Sequence, residues 1–170
     1  MSRVYLLRHA HAAAAGAGQG DFDRPLDERG RSEASQVGVG LAESGVQVDA
    51  VLCSSARRTV ETWQGLCASW SPGVEAELLR GLYLASADEL LASLIPLDRA
   101  LDSVLLVAHN PGIHELAVAL AGEGDRDTYQ RMRSAYPPGA LSELQFDGAW
   151  AELRAGVATL RRFDTPGARI

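Results

Sequence analysis

Apolar residues along this chain come in short runs that end abruptly in polar clusters. "VYLL", residues 4 to 7, stops at Arg8 and His9. Four apolar residues are too few for a helix, and their types favour a strand. "VDAVLCSS" (48 to 55) and "SVLLVAH" (103 to 109) repeat the design. Between these runs the apolar period lengthens to that of helices. "LDERGRSEASQVGVGLAESG" predicts an amphipathic helix capped at Asp27 and stopping near Gly45. Residues 56 to 69 place Val60, Trp63 and Leu66 on one side of another helix. "SADELLASLI" predicts a helix capped by Ser86 and ending before Pro96, and "NPG" opens a fourth, "IHELAVALAG". Near the C-terminus "ALSELQFDG" and "AWAELRAGVATLRRF" alternate well enough to predict a hairpin about Asp147 and Gly148.

Strands and helices alternate through residue 122, which predicts a three-layer α/β/α sandwich with a mostly parallel central sheet and an antiparallel C-terminal hairpin. At 170 residues, with no internal repeat or linker, the chain is expected to form a single domain over residues 1–170. Residues 12 to 25, "AAAAGAGQGDFDRP", form a loop ended by Pro25. In open α/β sheets ligands bind at the carboxyl ends of the strands. The polar clusters therefore matter: parallel strands would bring Arg8, His9, Arg57 or Arg58, and His109 to one rim. Two guanidiniums and two imidazoles would converge there on one anionic group.

Composition narrows the chemistry. The net charge of −6 and pI near 5.2 argue against a protein that holds nucleic acid or a membrane by bulk positive charge. No apolar run approaches the length of a membrane span, and the start "MSRVYLL" lacks a secretory signal, so a cytoplasmic protein with two reduced thiols, Cys53 and Cys67, is expected. All sixteen basic residues are arginine. Lysine chemistry such as a Schiff base or a P-loop is therefore absent, whereas guanidiniums suited to bidentate phosphate contacts are plentiful. Other motifs fail in detail. His9-Ala-His11 has the spacing of a metal-binding pair but lacks the further ligands, and "HELAV" puts Val118 where a zinc-protease motif needs its second histidine. With five residues between, the C-x5-R phosphatase signature counted from Cys53 needs its arginine at Thr59, and Arg58 comes one position early, so the signature is out of register. No metal and no cofactor is expected.

The arrangement resembles the histidine phosphatase superfamily, and within it the small phosphohistidine-phosphatase branch of SixA type, whose fold is phosphoglycerate mutase-like. "LLRHAHA" matches the family's Arg-His-Gly motif, "FDRPLDERG" its Arg-Pro-Leu loop, "VLCSSARRTVETW" its second-arginine motif and "VLLVAHNPGI" its second-histidine motif, in the family's order across nearly the whole chain. Ala10 stands where the family has glycine, and His11 where the small branch often has an acid. The resemblance implies His9 as nucleophile, with Arg8, Arg58 and His109 around the phosphoryl group. Arg57 becomes the variable neighbour, since Ser-Ser-Ala-Arg-Arg fits the family's Ser-Pro-Ala-x-Arg. By the same resemblance Arg24 adds a third guanidinium, and the helix start at Asn110 offers that residue and its following backbone amides as further phosphate donors.

The reaction expected is metal-independent removal of phosphate from phosphohistidine on a protein, such as a histidine phosphotransfer domain. The alternatives are a small-molecule phosphomonoesterase of the same superfamily and a non-catalytic phospho-ligand binding module. Alkoxide leaving groups need a general acid, which larger members carry between the second arginine and the last strand. Here that region reads "LLRGLYLASADELL", and its acids Asp88 and Glu89 look like helix openers. An imidazole needs less help with its proton, which favours phosphohistidine.

Overall fold

The computed structural model describes residues 1–167. Seven strands form one sheet: β1 (Ser2–Arg8), β2 (Ala50–Ser54), β3 (Ala76–Leu79), β4 (Ser103–Ala108), β5 (Ala121–Gly124), β6 (Leu141–Phe146) and β7 (Ala158–Asp164). Their spatial order is β3-β2-β4-β1-β6-β7-β5. The pairs β1/β4, β2/β4, β2/β3 and β5/β7 are parallel, while β6 joins β1 and β7 antiparallel. Five helices flank the sheet: α1 (Glu28–Glu43), α2 (Arg57–Cys67), α3 (Ala87–Leu94), α4 (Gly112–Leu120) and α5 (Arg126–Ser134).

Alternation within the central strands builds two cores. Val4, Leu6, Val104 and Leu106 face α3, α4 and α5, packing with Leu90, Leu94, Leu116 and Met132. Tyr5, Leu7, Val51, Leu105 and Val107 face the opposite way, onto Ala34 and Leu41 of α1 and Trp63 and Leu66 of α2. Burial on both faces is why these strands read as unbroken apolar runs. Among the described residues no helix is long and apolar enough to cross a membrane. Cys53 lies buried in β2, where burial pushes its thiol up to about 12 and leaves it un-ionised; Cys67 is exposed, and both are free.

Two caps match the sequence reading. The Asp27 carboxylate accepts from the Gly30 amide, and Ser86 and Glu89 form a reciprocal capping box at α3. Three features differ from it. The C-terminal pair is antiparallel, but it is not a tight hairpin about Asp147 and Gly148: β6 and β7 are joined by residues 147 to 157, which carry a 3-10 turn at Trp150–Glu152. Trp150 is fully buried and donates its indole N–H to the Leu101 carbonyl, so burial of one large side chain overrides the turn signal. The fourth helix stops at Leu120 and its expected last turn becomes strand β5. β3 and α5 had no apolar signature, because each is half or more exposed.

Candidate active site

β1 and β4 are parallel neighbours in register Arg8↔Ala108, so the residues that follow them, His9 and His109, emerge side by side. Their ring centroids are 5.2 Å apart. The turn from β2 into α2 adds Ser54 and Arg58. His9, His109 and Arg58 line a cavity of about 440 Å³ with Arg8, Asn110, Asp21 and Arg24 from the 12-to-25 loop, and the rim residues His11, Leu84 and Pro138, while Ser54 is fully buried against His109. Two glycines let the helices close on the site. A Cβ on Gly30 would lie 1.9 Å from the His11 carbonyl oxygen, and one on Gly112 would lie 2.0 Å from that of Ala85.

The hydrogen bonds of His9 define its reactive atom. Its Nδ1–H donates to the Ala10 carbonyl at 2.7 Å, which leaves the lone pair on Nε2. Arg58 Nε–H points at that lone pair from 3.3 Å. Burial pushes the imidazole down to about 4, and the charges of Arg58, Arg8 and Arg24 act the same way against the Ala10 carbonyl. At neutral pH His9 is thus an unprotonated nitrogen nucleophile surrounded by guanidiniums.

His109 has the complementary tautomer. The Ser54 hydroxyl accepts from the Ala56 amide and lies 2.7 Å from His109 Nε2; that nitrogen is the one acceptor for its proton among the described residues, so the hydroxyl donates there and the ring proton is assigned to Nδ1. That Nδ1 is buried with no partner among the described residues. Burial, then the neighbouring His9 and Arg58, push the ring down to about 3. It is a neutral donor with its N–H unspent.

Arg8 donates through one Nη to the Tyr136 carbonyl at 2.9 Å, while its buried Nε has no partner among the described residues. Asn110 donates to the same carbonyl at 3.0 Å and keeps an unpartnered Oδ1. The amides opening α4 supply less than expected, since Pro111 has no N–H and that of Ile113 goes to the His109 carbonyl. Arg58 is 3% exposed and points inward, whereas Arg57 points to solvent and pairs with Glu61 at 2.7 Å. Arg24 donates from Nε to the Ala13 carbonyl and from Nη1 to Asp21. His11 donates to Asp27 at 2.7 Å on the rim, and its amide is fixed by the buried Glu33 carboxylate. His114 is spent on the Met132 carbonyl outside the cavity.

One cavity residue, Asp21, and the Tyr83 that holds it have roles the sequence does not disclose. Asp21 accepts from Arg24, from Arg58 Nη2 at 3.0 Å and from the Tyr83 hydroxyl at 2.6 Å. These bonds, led by those from Tyr83 and Arg24, hold its carboxyl well below the usual range, so it is ionised and cannot serve as a proton donor. Tyr83 stands edge-on to His109, with ring centroids 5.4 Å apart. Its neighbour Leu84 has φ +52°, a conformation costly for a residue with a Cβ, and leaves its side chain half exposed at the rim. Glu89 is taken by the Ser86 cap, and Asp21 is the single carboxylate among the residues lining the cavity. The spacing of Asp21 and Arg24 in "DFDR", one helical turn apart, was a usable signal for their pairing.

A sequence profile of the histidine phosphatase superfamily (branch 1) matches residues 4–83. The chain is 30% identical to the "putative phosphohistidine phosphatase SixA" of Nakamurella multipartitia, whose structure superposes with a TM-score of 0.84 over 98% of this chain and 97% of that one. A second solved structure, of the protein given the same description in Agrobacterium tumefaciens, is 31% identical with a TM-score of 0.82, covering 97% and 98%. The uncharacterized protein ML1117 of Mycobacterium leprae is 32% identical over 149 residues, covering 86% of this chain and 89% of that protein.

Proposed function

The chain belongs to the histidine phosphatase superfamily, and from that premise we propose that it is a metal-independent phosphohistidine phosphatase working through a phosphorylated His9. The observation that carries the reading is the convergence of these groups on one cavity: His9 presents a lone pair on Nε2 with Arg58 Nε 3.3 Å from it, and Arg8 and His109 line the same space. Guanidiniums and a neutral imidazole lining one cavity beside an unprotonated nitrogen nucleophile are the donors that a transferring phosphoryl group requires.

In this mechanism His9 Nε2 attacks phosphorus in line with the leaving group. The P–N bond of the substrate, whose other ring nitrogen is protonated, breaks with its electron pair returning to the ring, which departs as neutral imidazole, and a new P–N bond forms to His9. Arg8, Arg58 and His109 stabilise the charge on the equatorial oxygens, with Arg24 and Asn110 at the edge of the cavity. Water then attacks phosphorus, releasing inorganic phosphate and restoring neutral His9. The lack of a protonated carboxylic acid among the described residues lining the cavity suits an imidazole leaving group better than an alkoxide. The open mouth, with Leu84 half exposed on its rim, suits a phosphohistidine carried on a protein.

The test is the ratio of catalytic efficiencies toward a phosphohistidine substrate and a simple aryl phosphate, with His9→Ala protein as blank. A strong preference for phosphohistidine is expected. Equal or better turnover of the aryl ester would point instead to a small-molecule phosphomonoesterase, and binding without turnover of either would leave only a phospho-ligand module.

A further inference from the structure

Asp21 is a carboxylate held inside an anion site. Its Oδ1 accepts from Arg24 Nη1 at 2.9 Å, its Oδ2 from Arg58 Nη2 at 3.0 Å and from Tyr83 at 2.6 Å, and its backbone carbonyl from Arg58 Nη1 at 2.6 Å. The turn that bears it, Asp21–Asp23, is clamped as well. Phe22 stands edge-on to the Tyr83 ring at 5.0 Å, with the Arg80 guanidinium over the Phe22 ring, 4.3 Å from its centroid. Asp21 is therefore a fixed part of the mouth, with its side chain 46% exposed toward an entering substrate.

We propose that Asp21 is a specificity-determining residue whose carboxylate, held across Arg24, Arg58 and Tyr83, rejects phosphate esters that carry a second anionic group beside the phosphate and favours cationic phosphoramidates. The proposal rests on the phosphate-pocket reading above and extends it to the leaving-group side. Arg24 and Arg58 already spend donors on Asp21, so a second anion on the substrate meets a fixed negative charge where a guanidinium would otherwise receive it. A phosphoimidazole is most reactive when protonated at its other ring nitrogen. A carboxylate that accepts that N–H raises the share of the reactive form, and as the P–N bond breaks the ring departs as neutral imidazole.

The experiment measures dissociation constants of phenyl phosphate and 2-carboxyphenyl phosphate by calorimetry in the His9→Ala background, which stops turnover, with Asp21 intact or changed by Asp21→Asn or Asp21→Glu. The expected result is that Asp21→Asn shifts the ratio of the two constants toward the carboxylated ligand by about tenfold, equivalent to about 1.4 kcal/mol. Asp21→Glu, which keeps the charge, should leave the ratio near that of Asp21. In the His9 protein, Asp21→Asn should also lower the efficiency toward phosphohistidine relative to phenyl phosphate by about tenfold, counted against the same conversion. Unchanged ratios with measurable binding would overturn the role of Asp21 and leave the phosphatase reading standing. If neither aryl phosphate nor orthovanadate binds any of these proteins, the phosphate-pocket reading fails, and this inference falls with it.

Discussion

His9 and His109 both have pKa values pushed down by burial, to about 4 and about 3, and this has two consequences. The first is that the nucleophile stays unprotonated across the neutral range, so a ring-NMR titration of His9 should show a midpoint near 4; a midpoint near 6.5 would contradict its burial among guanidiniums. The second concerns stability. Between about pH 6.5 and pH 4 the unfolded chain binds protons at these two positions and the folded chain does not. These groups therefore leave stability level above pH 6.5 and lower it as pH falls through that window, which denaturant unfolding at stepped pH would measure. The two arginines of "ARRT" make an asymmetric pair. Removal of buried Arg58 should cost roughly 100- to 1000-fold in kcat, while removal of Arg57, which pairs with Glu61 at the surface, should cost little; the reverse result would move the phosphate ligand by one residue. The positions of both histidines are legible in the sequence because each follows an apolar run. Their tautomers are not, since these depend on the Ala10 carbonyl and the Ser54 hydroxyl, contacts that only the fold creates.

The strands deliver the site because they are parallel and end level, and the helices complete it by close approach. α1 begins against the His11 carbonyl, where Gly30 leaves no room for a Cβ. Gly30→Ala should therefore destabilise the protein by about 2 kcal/mol and reduce activity by displacing the segment after His9; an unaltered melting temperature would show that the contact can relax. By contrast, Ser86→Ala removes the α3 cap, whose side chain pairs with Glu89 and with neither histidine, and should cost about 1 kcal/mol with little change in kcat. Central strands and capped helices declare themselves through apolar runs and the residues Asp27 and Ser86. β3, β5 and α5 do not, because exposed edge elements carry no apolar period. The link between β6 and β7 was misread for a related reason: "DG" is a strong local turn signal, and the buried Trp150 that overrides it acts through tertiary packing.

Taken together, the sheet gathers Arg8, His9, Arg58 and His109 from segments up to a hundred residues apart, while the 12-to-25 loop and the Tyr136–Pro138 segment wall the cavity. The first group was readable from strand ends. Asp21 was not, because its partners Arg58 and Tyr83 lie far along the chain and only its pairing with Arg24 is local. The account stands or falls on His9 becoming phosphorylated. The most direct measurement is a rapid-quench reaction with labelled phosphohistidine substrate, followed by intact-mass and peptide analysis of the protein under alkaline conditions that preserve phosphohistidine. The expected result is a transient, acid-labile phosphoryl group on the peptide containing His9, absent in His9→Ala protein that is folded but inactive. Full turnover with no label on His9, or undiminished turnover by folded His9→Ala, would contradict it.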